Sequence, residues 1–157
     1  MFRSYTDTVA HYRALQRGAH RITEDAFAPV LRAPLALDFY DARADDAWHA
    51  TWRPQRHPSG AGGWHWPRIM RTRWRRPSAF RLAIWSGPVL CGLAIGHPSR
   101  RSGAGVRRFL SVEMIEGAPF SHPLRSSVAE LATQFAIEYA RLLRGTRVRL
   151  INPIQYW

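Results

Sequence analysis

The clearest pattern of hydrophobic and polar positions lies in the second half of the chain. Residues 80–85 (FRLAIW) and 89–96 (VLCGLAIG) are apolar runs joined by the turn residues 86–88 (SGP), which predicts a β-hairpin partly covered on both faces. Residues 106–117 (VRRFLSVEMIEG) predict a third strand, long enough to hold a β-bulge. The alternating segment 146–151 (TRVRLI) predicts a fourth strand.

The best-defined helix is predicted between the last two strands, over residues 128–143. Ser127 and Glu130 have the spacing of a capping box, and Gly145 stands where a left-handed C-terminal cap is expected. A strand, a helix and a strand in this order form a crossover unit with parallel strands. The apolar face of the helix consists of Val128, Leu131, Ala132, Phe135, Ala136, Tyr139, Leu142 and Leu143.

The N-terminal part has weaker patterns. Residues 5–22 fit an amphipathic helix that Thr6 or Asp7 can cap. Residues 23–27 indicate the start of a short second helix. Residues 35–40 fit either a short strand or a helix, and the pattern does not decide between them.

Proline, glycine and tryptophan dominate the middle of the chain. A long loop is predicted over 53–63, and a helix over 66–76 with Pro67 at its first position and Pro77 after its end. Unevenly spaced tryptophans more often pack as a satellite core than stack on nucleic-acid bases, so packing is predicted and base stacking is the alternative. The tryptophans are Trp48, Trp52, Trp64, Trp66 and Trp74.

A length of 157 residues predicts one domain, with a helical part over 1–76 and a sheet and crossover core over 80–154. No apolar run approaches the roughly 20 residues of a membrane span, and the N-terminus lacks the apolar core of a signal peptide. A cytoplasmic location and no membrane association are therefore expected. The single cysteine, Cys91, is expected to be a small buried hydrophobe. The histidines show no metal-ligand spacing, so no metal site is predicted.

The formal net charge is +12, and arginine supplies every one of the 23 basic residues. Such a charge is typical of proteins that bind nucleic acid, and the arginines are most concentrated at residues 68–76. Arginine richness without lysine is also typical of a GC-rich coding sequence. A basic rim that attracts anions, including a phosphorylated cofactor, explains the charge equally well. Nucleic-acid binding is therefore kept as an alternative.

The loop before the predicted helix 128–143 is the first candidate for binding chemistry. The first N–H groups of a helix lack acceptors and carry partial positive charge, so they bind phosphate. The candidate donors are the backbone N–H groups of Leu124 through Val128, with the side chain of Arg125 beside them. The alternative is that Ser127 and Glu130 simply satisfy this helix end.

Four segments, FRLAIW-SGP-VLCGLAIG, FLSVEMIEGAP, HPLRSSV and RVRLINP, together resemble a divergent bacterial branch of the GCN5-related N-acetyltransferase (GNAT) superfamily. The resemblance covers residues 80–154. It implies an α/β (α+β) fold, with antiparallel N-terminal strands and a β-α-β crossover in one mixed sheet, and acetyl-CoA as co-substrate. In the family the pantetheine arm extends the splayed edge of the strand before the central helix. The pyrophosphate lies on the following loop, here Leu124, Arg125, Ser126, Ser127 and Val128.

The family's loop signature is Gln/Arg-x-x-Gly-x-Gly/Ala, and residues 100–105 (RRSGAG) match it letter for letter. A strand-like segment follows this match, whereas a phosphate site of this kind needs a helix behind it. Residues 100–105 are therefore interpreted as a hairpin loop. The better-placed segment 122–127 (HPLRSS) has no glycine, and Pro123 has no N–H to donate.

The resemblance also implies a carboxylate on the third strand as the base that takes a proton from the substrate amine. Glu113 and Glu116 are the candidates, and their odd spacing predicts opposite faces of the strand. Glu113 shares its predicted face with Ser111. Glu116 is preferred because it lies nearest the loop. The alternative is a carboxylate at the sheet edge that pairs with an arginine.

A further family element is an asparagine near the pantetheine after the following strand, which Asn152 matches. The family's helix with a proton-donating tyrosine has no counterpart before Trp157, so a C-terminally truncated member is expected. Tyr139 is expected in the core. Truncation would leave an open sheet edge that a second copy could cover, as in a homodimer.

The leading function is transfer of an acetyl group from acetyl-CoA to an amine of an unidentified small molecule or protein. A truncated, inactive relative of the family is the first alternative. An arginine-rich nucleic-acid-binding protein that uses residues 64–76 is the second.

Overall fold

The strands of the sheet lie side by side in the order in which they occur in the chain. The computed structural model describes residues 4–55, 63–101, 107–145 and 147–151. The strands are β1 (Ala36–Phe39), β2 (Phe80–Ser86), β3 (Val89–Arg101), β4 (Arg107–Gly117) and β5 (Arg147–Leu150). The α-helices are α1 (Tyr5–Phe27), α2 (Ala42–Ala47), α3 (Trp66–Thr72) and α4 (Val128–Leu142).

Neighbouring strands from β1 to β4 are antiparallel, whereas β4 and β5 are parallel. Because α4 connects β4 to β5, these three elements form the predicted crossover unit. The observed mixed α/β architecture confirms the fold class expected from the sequence. The ambiguous segment 35–40 contains β1, and the backbone N–H of Leu37 donates to the Glu24 carboxylate of α1 at 2.8 Å.

Both faces of the sheet are covered, as the apolar runs of β2 and β3 predict. One face packs against α1 and α4 through a core that includes Leu82, Val112 and Phe135. The other face packs against α2, α3 and the π-helical turn Trp48–Trp52 through a second core that includes Met114. We call these the helix-side face and the tryptophan-side face.

The tryptophans belong to the second core. The indole N–H of Trp52 donates to a backbone carbonyl of β3 at 2.9 Å. Trp64 and Trp74 are half-buried and pack against the same core. The packing prediction is confirmed, and three of the five are at most 1% exposed and cannot stack on bases: Trp48, Trp52 and Trp66.

Helix α1 is one continuous helix, so the predicted break before residue 23 is wrong. Its N-cap is Ser4, not Thr6 or Asp7. The Ser4 hydroxyl accepts from the Asp7 backbone N–H at 3.1 Å, and the Asp7 carboxylate accepts from the Ser4 N–H at 3.2 Å. This reciprocal pair satisfies two N-terminal donors and starts the helix earlier. No helix in the described part of the chain is long and apolar enough to cross a membrane.

Helix α3 ends at Thr72, short of the predicted residue 76. The guanidinium of Arg81 on β2 donates to the carbonyls of Met70, Arg73 and Trp74, each at 2.9 Å. A cation at this position satisfies the open carbonyls of a helix C-terminus.

Of the predicted loop 53–63, residues 53–55 form a 3-10 helix and 56–62 lie outside the described residues.

Both predicted caps of α4 are wrong in detail. Ser127 has φ −114° and ψ −6° and makes no side-chain cap bond, because an N-cap side chain needs an extended backbone to reach the helix N–H groups. At the other end the left-handed residue is Arg144, with φ 56°. The N–H of Gly145 donates to the Ala140 carbonyl at 2.7 Å and that of Arg144 to Arg141 at 2.9 Å, which is a Schellman motif.

Strands β3 and β4 form a long hairpin. β3 continues to Arg101, five residues beyond the predicted end of this strand at residue 96. Arg101 pairs with Arg107 at the start of β4. The first two residues of the literal signature match at 100–105 are therefore strand residues and not loop residues, and residues 102–105 of the match lie outside the described residues.

Candidate functional site

Strand β4 carries a β-bulge and then extends past the end of its parallel partner. Ile95 pairs with Met114 and Gly96 pairs with Val112, so Glu113 is the extra residue. Pairing with β5 ends at Val112, whose carbonyl accepts from the Ile151 N–H at 2.8 Å. Beyond that point β4 has no partner strand on this side among the residues that the structure describes. Among the described residues, the last five residues of β4, 113–117, therefore have an open edge on this side.

The bulge places both candidate glutamates on the tryptophan-side face, so the prediction of opposite faces is wrong. Glu113 contacts His97, and Glu116 contacts Trp66 of α3. One extra residue reverses the alternation of side chains along a strand. Two residues an odd number of positions apart therefore lie on the same face of the sheet when a bulge separates them.

Glu113 is held by a histidine. Its carboxylate lies 2.9 Å from Nε2 of His97, and its side chain is 17% exposed. The other ring nitrogen of His97 lies 3.2 Å from the Pro98 carbonyl oxygen. Trp74 stacks on the imidazole with 3.6 Å between ring centroids. Within the described residues, the partner of this carboxylate is an imidazole from the neighbouring strand, and not the arginine that the alternative from the sequence required.

Glu116 lies deeper in the same face. The residue is 3% exposed, and its carboxylate accepts from the indole Nε1 of Trp66 at 2.5 Å. Trp66 itself is fully buried. A substrate amine would have to displace part of the tryptophan core to reach Glu116 directly, whereas Glu113 retains some exposure.

A polar strip continues from Glu113 across β3, β4 and β5. The Ser99 and Ser111 hydroxyls lie 3.3 Å apart, and the Arg149 guanidinium donates to Ser111 at 3.0 Å. Ser111 is fully buried. Sequence reasoning did not identify His97 or Arg149 as neighbours of the glutamates. Polar residues at alternate positions, 97 and 99 on one strand and 111 and 113 on the next, were the available signal.

The loop 118–127 connects the open end of β4 to α4. Arg125 and Ser126 are exposed, Ser127 is half-buried, and Leu124 and Val128 are buried in the helix-side core. The loop thus presents Arg125 and Ser126 to solvent, while Leu124 and Val128 anchor it to the sheet.

Two of the five candidate N–H donors are already used in turns. Arg125 donates to the His122 carbonyl at 3.2 Å, and Ser127 donates to the Leu124 carbonyl at 2.9 Å. Of the other three, the N–H of the buried Leu124 bonds to the Cys91 sulfur, whereas the N–H groups of Ser126 and Val128 have no backbone acceptor within the described residues. These two N–H groups and the guanidinium of Arg125 are therefore the donors that the loop offers to an anion.

The glycine that allows close packing here lies in the sheet and not in the loop. A Cβ on Gly92 of β3 would stand 2.6 Å from Cγ1 of Val128, so only glycine lets the first turn of α4 approach β3. Cys91, next to it, is fully buried, and burial raises the pKa of its thiol to about 11. This confirms Cys91 as a structural residue.

Three other candidates are placed as follows. Tyr139 is fully buried in the helix-side core, as expected, and its hydroxyl donates to the Ser78 carbonyl at 2.8 Å. Asn152 lies outside the described residues. His65 caps α3, since its Nδ1 accepts from the Arg68 N–H at 3.2 Å. No cluster of His, Cys, Asp and Glu side chains suited to a metal ion occurs in the described parts of the chain.

A cleft of about 410 Å³ lies at the opposite end of β4, between α1, the hairpin and the C-terminal end of α4. Its lining includes Tyr12, Ser99, Arg108 and Leu143. It does not include the loop 118–127 or either glutamate. The open edge of β4, and not this cleft, is therefore the site that adjoins the candidate residues.

The fold has counterparts among solved structures. It is similar to a transcriptional regulator from Bacillus halodurans C-125, with a TM-score of 0.53 and 9% identity over 75% of this chain and 81% of that chain. It is also similar to a probable acetyltransferase, with a TM-score of 0.52 and 18% identity over 77% of this chain and 80% of that chain. No protein-family model and no curated protein matches the sequence. At these identities the similarity establishes a shared fold.

Proposed function

We propose that the protein transfers an acetyl group from acetyl-CoA to an amine. The observation that carries the proposal is the edge of β4 beyond Val112, which is open within the described part of the chain and lies next to the first turn of α4. An extended acyl arm can add to a free strand edge through backbone hydrogen bonds, while its phosphates meet the helix N-terminus. The shared fold with a probable acetyltransferase supports this proposal.

The loop would hold the charged end of the cofactor. The N–H groups of Ser126 and Val128 would donate to the pyrophosphate, with the Arg125 guanidinium as a countercharge. Leu124 and Ser127 would shape the loop, since Leu124 is buried and the Ser127 N–H is already bonded within it. Asn152 remains the proposed residue near the pantetheine after β5.

The transfer itself needs one proton acceptor. The amine nitrogen would attack the thioester carbonyl, the C–N bond would form as the C–S bond breaks, and the thiolate of CoA would leave. The amine proton would pass to a carboxylate of the bulged strand. Glu113 is favoured by its exposure and by His97, and Glu116, preferred from the sequence, is the second candidate.

The test is stabilisation by acetyl-CoA. At a concentration 100 times its Kd, a ligand stabilises the folded state by about 2.7 kcal/mol, which raises the Tm of a domain of this size by roughly 5–10 °C. We expect this shift for the wild type and its loss in Arg125→Glu. The matched control is Arg147→Glu, which makes the same charge change at an exposed position at the start of β5.

The control should retain the shift, because Arg147 pairs with Phe109 at the far end of β4 from the loop. No shift of the wild type at millimolar acetyl-CoA would reject the proposed function. An equal loss in both variants would mean that overall charge, and not the loop, attracts the cofactor.

A further inference from the structure

The loop contains a histidine that the acetyl-transfer proposal does not use. His122 is 9% exposed, and neither Nδ1 nor Nε2 has a hydrogen-bond partner in the described part of the chain. A buried polar group without a partner costs about 1–3 kcal/mol. Both nitrogens of an imidazole are seldom left in this state, so the position of the ring calls for a functional explanation.

The ring of His122 lies between the end of β4 and the start of α4. A Cβ on Gly117, the last residue of β4, would stand 4.0 Å from His122 Nε2 and 3.8 Å from the Val128 side chain. The ring of Phe120 packs edge-on against the imidazole of His122, with 6.1 Å between ring centroids. The imidazole therefore adjoins the last residue of β4, which in turn adjoins the first turn of α4. Both ring nitrogens are closed to solvent, so a molecule along the edge of β4 reaches them only when the ring turns outward.

The protonation state of His122 limits the kinds of ligand group that the ring can bind. Burial, and to a lesser extent the nearby Arg125 guanidinium, lower the pKa of His122, so the ring is neutral at neutral pH. A neutral imidazole offers one N–H donor and one bare nitrogen acceptor. Phosphate oxygens only accept, whereas an amide both donates and accepts. The pantetheine arm of CoA contains two amides between its pyrophosphate and its thioester.

We propose that His122 binds an amide of the pantetheine arm and thereby positions the thioester along β4. The proposal rests on the proposed function, because it requires acyl-CoA to lie along the edge of β4 with its phosphates at the loop before α4. It assigns the imidazole to the uncharged arm and the Arg125 side chain to the phosphates. His122 is thus a positioning residue between the two parts of the cofactor site.

The experiment compares two ligands on two proteins by isothermal titration calorimetry. The ligands are CoA and 3′-phosphoadenosine 5′-diphosphate, which has all three phosphates of CoA but no pantetheine. His122→Phe should weaken CoA binding about tenfold, the equivalent of one lost hydrogen bond of about 1.4 kcal/mol. The affinity for 3′-phosphoadenosine 5′-diphosphate should stay unchanged. His122→Asn, which keeps a donor and an acceptor, should recover part of the CoA affinity.

A purely structural role would give a different result. Because His122→Phe removes a buried unpaired polar group, its Tm without ligand should be equal to or above that of the wild type. The imidazole ¹⁵N resonances of His122 in the wild-type protein should shift with CoA and not with 3′-phosphoadenosine 5′-diphosphate. This measurement needs no variant, so it applies even if the phenylalanine variant misfolds.

Three outcomes would overturn the inference. Equal CoA affinity in wild type and His122→Phe would show that the ring does not contact the cofactor. Equal weakening of both ligands would place the imidazole on the phosphates. Failure of the wild type to bind either ligand would reject the proposed function itself, and would be seen before any variant is compared.

Discussion

Glu113 and Glu116 share a face of the sheet but have different surroundings. Glu113 faces His97, which lies under Trp74, and keeps 17% of its side chain exposed. Glu116 is 3% exposed and bonded to the indole of Trp66. A carboxylate that takes a proton from an amine must be reachable by that amine or by one water. Exposure therefore favours Glu113.

Glutamine substitutions separate the two. Glu113→Gln should slow acetyl transfer by about 100-fold or more, since general-base catalysis contributes about 10²–10⁴-fold. Glu116→Gln should change the rate less than about tenfold, because its amide oxygen can still accept from Trp66. Thiol release from saturating acetyl-CoA is measured against a panel of primary amines. The reverse order of effects would identify Glu116 as the base.

His20 is a buried neutral histidine in the helix-side core. It is 5% exposed and stacks on Phe135 with 5.1 Å between ring centroids. Burial is the largest cause that lowers its pKa from 6.5 to about 4, while Asp38 opposes this and Arg17 adds to it. Between these two values the unfolded chain binds the proton that the folded chain excludes. Stability therefore falls as the pH drops through this range.

The loss from His20 alone should be on the order of 3 kcal/mol between pH 6.5 and 4. His20→Leu should remove this component from the pH dependence of the free energy of unfolding, measured by urea titration. The matched control is His11→Leu, which removes an exposed histidine from the same helix. If both variants show the same pH dependence as the wild type, His20 is not neutral in the folded state.

At the scale of elements, the C-terminus of α4 carries a strained residue. Arg144 adopts φ 56°, although a left-handed backbone costs a residue with a Cβ about 1–2 kcal/mol. The adjacent Gly145 has its own constraint, because a Cβ there would stand 3.2 Å from the Ala140 carbonyl oxygen. The Schellman motif thus uses its glycine for close approach and leaves the left-handed position to arginine.

Arg144→Gly should therefore raise the free energy of unfolding by about 1 kcal/mol or slightly less, since the greater entropy of unfolded glycine offsets part of the relief. The Tm should rise by about 2–4 °C. Arg141→Gly, in the last turn of α4, should instead lower stability by about 1 kcal/mol. Thermal and urea unfolding measure both, and a decrease for Arg144→Gly would contradict the assigned cap.

The ends of the helices and strands show which boundaries a sequence pattern can predict. The hairpin of β2 and β3 and helix α4 are encoded by periods that lie within one segment, so their positions were predicted within a few residues. The caps depend on single side chains, and Ser4 and Arg144 were both missed. The end of α3 depends on Arg81, which lies on a different element, and no local pattern reports such a contact.

At the scale of the whole molecule, the sheet separates two cores with different roles. The helix-side core fixes α4 against the sheet through Gly92 and Val128, and so fixes the loop that would hold phosphate. The tryptophan-side core surrounds the glutamates and covers His97 with Trp74. The proposed cofactor loop and the proposed base are thus supported by different parts of the chain.

The positive charge of the molecule is distributed in a way that suits an anionic ligand. The net charge is +12, and of the arginines at 68–76 all five, Arg68, Arg71, Arg73, Arg75 and Arg76, are exposed. Burial of three of the neighbouring tryptophans leaves only Trp64 and Trp74, both half-buried, as a surface on which bases could stack. The charge is expected to raise the rate at which any anion arrives, including acetyl-CoA.

The sequence by itself determined the crossover unit and the mixed sheet, because the strands and the helix follow from local periods of side chains. It also determined the apolar face of α4 except at Leu142, which was predicted to be buried and is exposed. It also identified the loop before α4, since every helix N-terminus has free N–H groups. It did not determine which face each glutamate occupies.

The tertiary structure decided that Glu113 and Glu116 both lie on the tryptophan-side face. The bulge at Glu113 depends on Gly96 of the partner strand, where a Cβ would collide with the Ser111 carbonyl oxygen. The His97–Glu113 contact likewise joins residues 16 positions apart. Register between strands and the burial of His122 arise from contacts between elements. A pattern along one segment carries no information about such contacts, whereas packing fixes them.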